Sequence, residues 1–380
     1  MLITDDFSWD YSTFESYIEG LCPQISAYPS DIIPFFAPTT PLTVLTLFAI
    51  WKVGKIAFPL DPKKPITTPL LTPTFPTPKT ATSTHWKPDH IATHLFTSGS
   101  SGSPKIACHT FQNHILSAQG SSLKIPLTES SLWALSIPLY HVGGLAILFR
   151  TYLSRARILI SKDWTPATHL SLVPTHLYRL LRDNISLPNL KILLLGGAPL
   201  TNIQTPWPVL PTYGMTEMSS QIVTDHTLHP HAEMRIAPDN EIFVRGGALF
   251  HGYLNTPLPL HDGWFATGDL GTWQSNRFQI IGRKDNLFIS GGENIQPEEI
   301  EEALCIHCHI FEAIVIPIPD PEFGARPAVF LPEPSLLPQI QSQLKEVLPK
   351  FKIPIQAFPL PPNLGLKPNR KKLASFLHSN

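Results

Sequence analysis

Charged side chains are scarce in this sequence. Asp, Glu, Lys and Arg make up 15% of its 380 residues, against roughly a quarter in ordinary globular chains, which excludes a charge-driven disordered chain as the dominant state. No block of like charge occurs, and 28 Lys+Arg against 29 Asp+Glu leave a formal charge of −1. A basic footprint for nucleic acid or an anionic membrane surface is therefore missing, and the expected partner is a small molecule. Cysteine is also rare, with four residues, and the start Met1-Leu2-Ile3-Thr4-Asp5-Asp6 is acidic and lacks an export signal. Both features lead us to expect a reducing cytoplasm and free thiols. Long apolar runs are absent: Pro41–Trp51 is broken by Lys52, well short of the roughly 20 residues that span a bilayer, and reads as a buried helix. Proline is in excess, 41 residues scattered without a period, which reads as rigid loops and neither collagen nor a polyproline tract.

At roughly 100 to 200 residues per domain, the length suggests two domains or one large one with an appendage. The helix over 41–54 is followed by a short strand, Ile56–Leu60, and then by Pro/Thr/Lys-rich text from Asp61 to Pro88 that reads as a surface connection. His90–Phe96 reads as a strand entering a Gly/Ser/Thr loop, with helical spacing from Phe111 to Ser121; this predicts a strand-loop-helix unit. Apolar runs at Leu132–Leu139, Ala156–Ile160, Leu170–Val173 and Lys191–Leu195 suit parallel strands buried on both faces, hence a doubly wound α/β class. Beyond Glu241 the text is β-rich with tight turns. From Gln296 it reads as helix, two strands, helix and a basic tail, with a boundary near Arg283.

Several segments carry chemistry. Thr97-Ser98-Gly99-Ser100-Ser101-Gly102-Ser103-Pro104-Lys105 combines glycines, which let backbone N–H groups approach phosphate oxygens, with hydroxyl donors and a lysine charge. It does not fit the G-x-x-x-x-G-K-[ST] loop. This run resembles the phosphate loop of the adenylate-forming enzymes: acyl-CoA and aryl-CoA ligases, peptide-synthetase adenylation domains and luciferases. Further motifs follow in that family's order. Pro138-Leu139-Tyr140-His141-Val142-Gly143-Gly144 resembles its aromatic-His acyl-pocket loop, and Leu195-Gly196-Gly197-Ala198-Pro199-Leu200 its adenine-stacking segment. Tyr213-Gly214-Met215-Thr216-Glu217 resembles its Y-G-x-T-E signature, Gly263–Gly271 its ribose-aspartate motif, and Gly282-Arg283-Lys284-Asp285 its hinge. The narrower wording Ser290-Gly291-Gly292-Glu293-Asn294-Ile295-Gln296-Pro297, with Ser171–Thr175 and Glu322–Pro327, resembles the o-succinylbenzoate-CoA ligases of menaquinone synthesis.

The resemblance implies a large AMP-binding domain, residues 1–282, of doubly wound sheets plus a β-rich subdomain. A small mobile α+β domain, residues 283–380, follows a hinge at Asp285. It implies ATP, Mg²⁺ and CoA: a carboxylate attacks the α-phosphorus of ATP, so the site must neutralise converging negative charge. Thr97, Ser98, Gly99, Ser100, Ser101, Gly102 and Lys105 would hold phosphates, and Thr216 a phosphate oxygen. Glu217 would hold Mg²⁺, a hard ion suited to carboxylate oxygens. Gly197, Ala198, Pro199, Tyr213, Gly214 and Met215 would line the nucleotide, with Asp269 at the ribose and Arg283 near the ribose or phosphate. Lys367 would bridge carboxylate and α-phosphate, while rotation about Asp285 would present Gly291 and Gly292 to CoA. His141, Gly143 and Gly144 would wall the acyl pocket. Arg150 closes an apolar helical run, where an unpaired charge is costly; it would meet the second carboxylate of o-succinylbenzoate, directly or through water, or else carry its guanidinium out to solvent.

Other readings stay open. Another acyl- or aryl-CoA ligase would share this machinery, and a nucleotide- or acyl-binding protein without catalysis is the alternative from a different class. The phosphate loop begins as early as Thr97, so the region 1–90 is short for the family; a thinner layer over the sheet leads us to expect a second subunit. Cys305-Ile306-His307-Cys308-His309 has C-x-x-C-H spacing, but with no second cysteine pair it reads as a helix end rather than a zinc or haem site.

Overall fold

The computed structural model describes residues 1–65, 68–82, 86–97, 104–197, 205–361, 370, 373 and 374. The short apolar runs become Leu132–Ala134, Arg157–Ile160, His169–Leu172 and Ile192–Gly196, neighbouring parallel strands of a nine-stranded sheet. Val209–Met215 continues the sheet in parallel; Ser220–Thr224 and Thr227–Leu228 turn back antiparallel. The first of these runs, expected to stay extended to Leu139, leaves the sheet after Ala134 and turns at Pro138, whose carbonyl accepts from the His141 N–H.

A second sheet carries Ile32–Phe36, Ile56–Leu60 and Ile91–Phe96 in parallel. Here the structure corrects the expected strand-loop-helix unit. Strand Ile106–Thr110 intervenes, antiparallel to Ile91–Phe96, with Phe96 opposite Ile106 and His94 opposite Cys108. The glycine-rich loop thus joins two antiparallel strands. Helix Phe111–Ser121 starts after the second of them, capped by reciprocal bonds between Thr110 and Asn113. Its N–H groups therefore do not open directly onto the loop.

Helices Tyr11–Ser26, Pro41–Lys52, Phe111–Ser121 and Val142–Leu153 share one core with strands of both sheets. Pro41–Lys52 is buried from Thr43 through Trp51, as a helix packed on all sides requires. The Pro/Thr/Lys-rich connection has no helix or strand among its described residues, yet it is anchored. Leu71 N–H donates to Pro34, Lys79 N–H to Ser16, and Trp86 stacks on Phe111 at 5.2 Å.

A third sheet, Glu233–Ile236, Glu241–Arg245, Leu260–His261, Trp264–Gln274 and Arg277–Arg283, supplies the β-rich part. Beyond it, hairpin Phe288–Ser290 and Glu293–Ile295, helices Pro297–Cys308 and Leu337–Leu344, and strands Ile314–Asp320, Gly324–Leu331 and Gln356–Pro359 build α+β cores of their own. This C-terminal part meets the nine-stranded sheet's flank through Tyr178 stacked on Phe311 at 4.2 Å and an Arg179–Glu312 ion pair at 2.9 Å. The fold is α/β with doubly wound sheets, a β-rich subdomain and an α+β C-terminal part.

Burial holds His109, His169 and His229 at about 4, down from 6.5. Their folded-state values lie below the unfolded ones, so the unfolded chain gains protons first as pH falls. The urea midpoint should be level above about pH 6.5 and decline steadily toward pH 4; a midpoint unchanged across that window would contradict the burial of neutral imidazoles.

Candidate active site

Strand Ile106–Thr110 sets one wall of the site. At its entry the Thr97 N–H donates to the Lys105 carbonyl at 2.8 Å, closing the base of the glycine-rich loop. Thr97 and Lys105 are thus brought together, while Ser98, Gly99, Ser100, Ser101 and Gly102 lie outside the described residues. Further along, buried His109 donates Nε2–H to the Thr216 carbonyl at 2.7 Å. The strand that leaves the glycine-rich loop is therefore tied to the Y-G-x-T-E segment by a side chain that the motifs did not single out.

Tyr213, Gly214 and Met215 end strand Val209–Met215, and Thr216 and Glu217 form the turn after it. Gly214 is required sterically: a Cβ there would lie 2.0 Å from the Ser220 carbonyl oxygen. Glu217 is 9% exposed, its Oε1 accepts from the Tyr253 hydroxyl at 2.8 Å, and no Lys, Arg or His pairs with it among the described residues. A nearly buried carboxylate without a cation suits a divalent metal ion, so these residues fit the magnesium that the resemblance implies.

Asp269 and Arg283 are opposite one another in the antiparallel pair Trp264–Gln274 and Arg277–Arg283, which explains their spacing in the sequence. Arg283 Nη1 donates to Asp269 Oδ1 at 2.9 Å, and the Tyr213 hydroxyl donates to Oδ2 at 2.9 Å. Burial and the Asp269 charge keep the Tyr213 phenol protonated, so it serves as a donor. Arg283 Nε also reaches Asp285 at 3.2 Å. Each Asp269 oxygen keeps a lone pair for a further donor, such as a ribose hydroxyl.

Of the residues that the resemblance assigns to the acyl pocket, His141 precedes helix Val142–Leu153 as its N-cap, 4.7 Å from Tyr140 ring to ring. Gly144 packs so tightly that a Cβ would fall 2.3 Å from the Pro138 carbonyl, and Gly143 lies beside Ile137. Arg150 sits in the last turn of the same helix, 4% exposed. Its Nε donates to Ser121 at 2.7 Å and its guanidinium lies over Trp133 at 5.6 Å. Nη2 is buried without a partner, and no carboxylate pairs with it among the described residues. Burial lowers its pKa to about 9, which still leaves a cation at neutral pH.

Gly197 has a φ of 101°; Ala198 and Pro199 lie outside the described residues, as does Lys367. Gly291 and Gly292, with φ of 56° and 86°, form the two-residue turn of hairpin Phe288–Ile295, a conformation that glycine adopts without strain. Sequence reasoning missed one network here. Arg370 grips both Glu301 oxygens and reaches Glu298 at 3.3 Å, while Glu298 accepts from Asn286, next to Asp285. Cys305 and Cys308 lie in helix Pro297–Cys308 as free thiols, and His309 ends it with a φ of 55°.

Residues 63–254 match the family model "AMP-binding enzyme". The chain is 33% identical over 398 aligned positions to the 2-succinylbenzoate–CoA ligase of Escherichia coli K12, covering 89% of this chain and 86% of the relative. An arginine-to-lysine variant of E. coli MenE with bound OSB-AMS superposes with a TM-score of 0.88 at 28% identity, covering 100% of this chain and 95% of that one. O-succinylbenzoate coenzyme A synthetase from Bacillus subtilis in complex with ATP and magnesium ion gives a TM-score of 0.82 at 25% identity, over 98% and 96%. The chain belongs to the AMP-binding enzymes, as an AMP-forming acid–thiol ligase. Within them, its similarity is to the 2-succinylbenzoate–CoA ligases.

Proposed function

We propose that this chain activates o-succinylbenzoate with ATP, releasing pyrophosphate, and passes the acyl group from acyl-AMP to CoA in menaquinone synthesis. The observation that carries the substrate assignment is Arg150, a buried cation with an unpartnered guanidinium nitrogen and, among the described residues, no carboxylate paired with it. Such a charge is strongly disfavoured unless an anion arrives, and o-succinylbenzoate keeps a second carboxylate while the first reacts. His229 and His231 lie near enough to feel the Arg150 charge and are themselves kept neutral, chiefly by burial. They add no competing positive charge.

The reacting carboxylate is already ionised near neutral pH, so no general base is needed. His141 is assigned to the pocket wall. Lys105 and Thr97, with Ser98, Gly99, Ser100, Ser101 and Gly102, hold the phosphates, and Thr216 orients one of their oxygens. Asp269, fixed by Tyr213 and Arg283, accepts the ribose hydroxyls; Gly197, Ala198 and Pro199 border the adenine. Glu217 holds magnesium, which when bound neutralises phosphate charge. Lys367 bridges the attacking carboxylate and the α-phosphate. Residues 1–282 and 283–380 act as two domains, and rotation about Asp285 brings the Gly291–Gly292 turn to the CoA thiol. The separate C-terminal cores support this division.

The setting is cytoplasmic; no helix among the described residues is long and apolar enough to cross a membrane. Exposed Phe36 and Phe96 on the second sheet support a homo-oligomer. Sedimentation at working concentration should give a species heavier than 42.3 kDa, and a monomer would sink this part.

The main test follows thioester formation from CoA with o-succinylbenzoate and with benzoate, in wild type, Lys367→Ala and Arg150→Met. Lys367→Ala should abolish turnover. Arg150→Met should raise KM for o-succinylbenzoate by roughly tenfold or more, the scale of a lost charged hydrogen bond, and reduce its advantage over benzoate. Equal use of both acids by wild type would reassign the pocket, and ATP binding without turnover on any acid would favour the non-catalytic reading.

A further inference from the structure

We infer that Tyr253 is a positioning residue that sets both the Glu217 carboxylate and the Lys105 ammonium for the magnesium–ATP complex. This rests on the functional reading above and extends it to a side chain outside every motif that led there. Tyr253 lies in the two-residue strand Gly252–Tyr253, antiparallel to Ile106–Thr110, with Tyr253 opposite Ala107 and Gly252 opposite Cys108. Bonds on either side pin it: His251 N–H to Cys108 at 2.9 Å and Leu254 N–H to Ile106 at 2.8 Å. Its ring meets Phe250 edge-on at 4.8 Å, and the Phe250 N–H donates to the Glu217 carbonyl at 2.7 Å. Ring and glutamate are therefore registered to the same backbone.

Two contacts leave this fixed ring. The hydroxyl donates to Glu217 Oε1 at 2.8 Å, which fixes the carboxylate plane and leaves Oε2 available to a cation. Hydrogen-bond donors behind a metal-binding carboxylate act in this way, and their loss typically weakens metal binding tenfold to a hundredfold. The Lys105 ammonium sits over the ring, 4.8 Å from its centroid, a cation–π placement beside the base of the phosphate loop. One side chain thus spaces the metal-site anion from the phosphate-binding cation and keeps them from pairing directly.

The two contacts separate by substitution. Tyr253→Phe removes the donor and keeps the ring; Tyr253→Leu removes both. Calorimetric titration of ATP into the full chain across a series of magnesium concentrations reads the effect without turnover, with thermal melts to check folding. Tyr253→Phe should need roughly tenfold more magnesium for half-maximal ATP affinity, with affinity at saturating magnesium close to wild type. Tyr253→Leu should also lose several-fold in affinity at saturating magnesium. A magnesium dependence in Tyr253→Phe equal to wild type would overturn the inference, as would identical losses in both variants. If the leucine variant fails to fold, the phenylalanine variant alone decides. Wild-type ATP binding that ignores magnesium would remove the Glu217 reading itself, and this inference with it.

Discussion

The site depends on the pairing of strand Ile106–Thr110 with two partners, Ile91–Phe96 on one side and Gly252–Tyr253 on the other. That pairing closes the glycine-rich loop at Thr97 and Lys105, aims His109 at the Thr216 carbonyl, and brings Tyr253 between Lys105 and Glu217. A slip of one residue would reverse every side chain on the strand. His109, fully buried in the core, would then face the opposite side, and the link to Thr216 would be lost.

Around that strand the electrostatics follow one pattern. Glu217 and Asp269 are each held by a tyrosine hydroxyl, Tyr253 and Tyr213, kept protonated by burial and by the adjoining carboxylate. Neutral donors orient these anions, and among the described residues an arginine stands beside Asp269 but not beside Glu217. Arg150 is the converse, a buried cation whose partner is a serine hydroxyl. On the proposed reading, each of Glu217 and Arg150 receives its counter-charge from what the enzyme binds. A site that leaves opposite charges apart until ligands arrive keeps its interactions for the complex in which they lower the barrier.

Much of this was legible in the sequence where the signal is local. Short apolar runs between turns gave the parallel strands, and the spacing of Asp269 and Arg283 is a hairpin register visible as motif order. The strand-loop-helix reading failed because Ile106–Thr110 is only five residues long and runs straight into the helix, so its period-two pattern merges with the helical one. Tyr253, His109 and Arg370 were invisible for a different reason. Each acts on a residue at least 36 positions away, and such pairings are set by tertiary register.

The central claim, that a buried arginine with no carboxylate paired to it among the described residues selects an acid with a second carboxylate, is tested most directly by ATP–pyrophosphate exchange without CoA. This isolates adenylation from thioester formation. The account predicts rapid exchange with o-succinylbenzoate, far slower exchange with an analogue whose non-reacting carboxylate is blocked as a methyl ester, and none with benzoate. Exchange proceeding equally with o-succinylbenzoate and benzoate would contradict it.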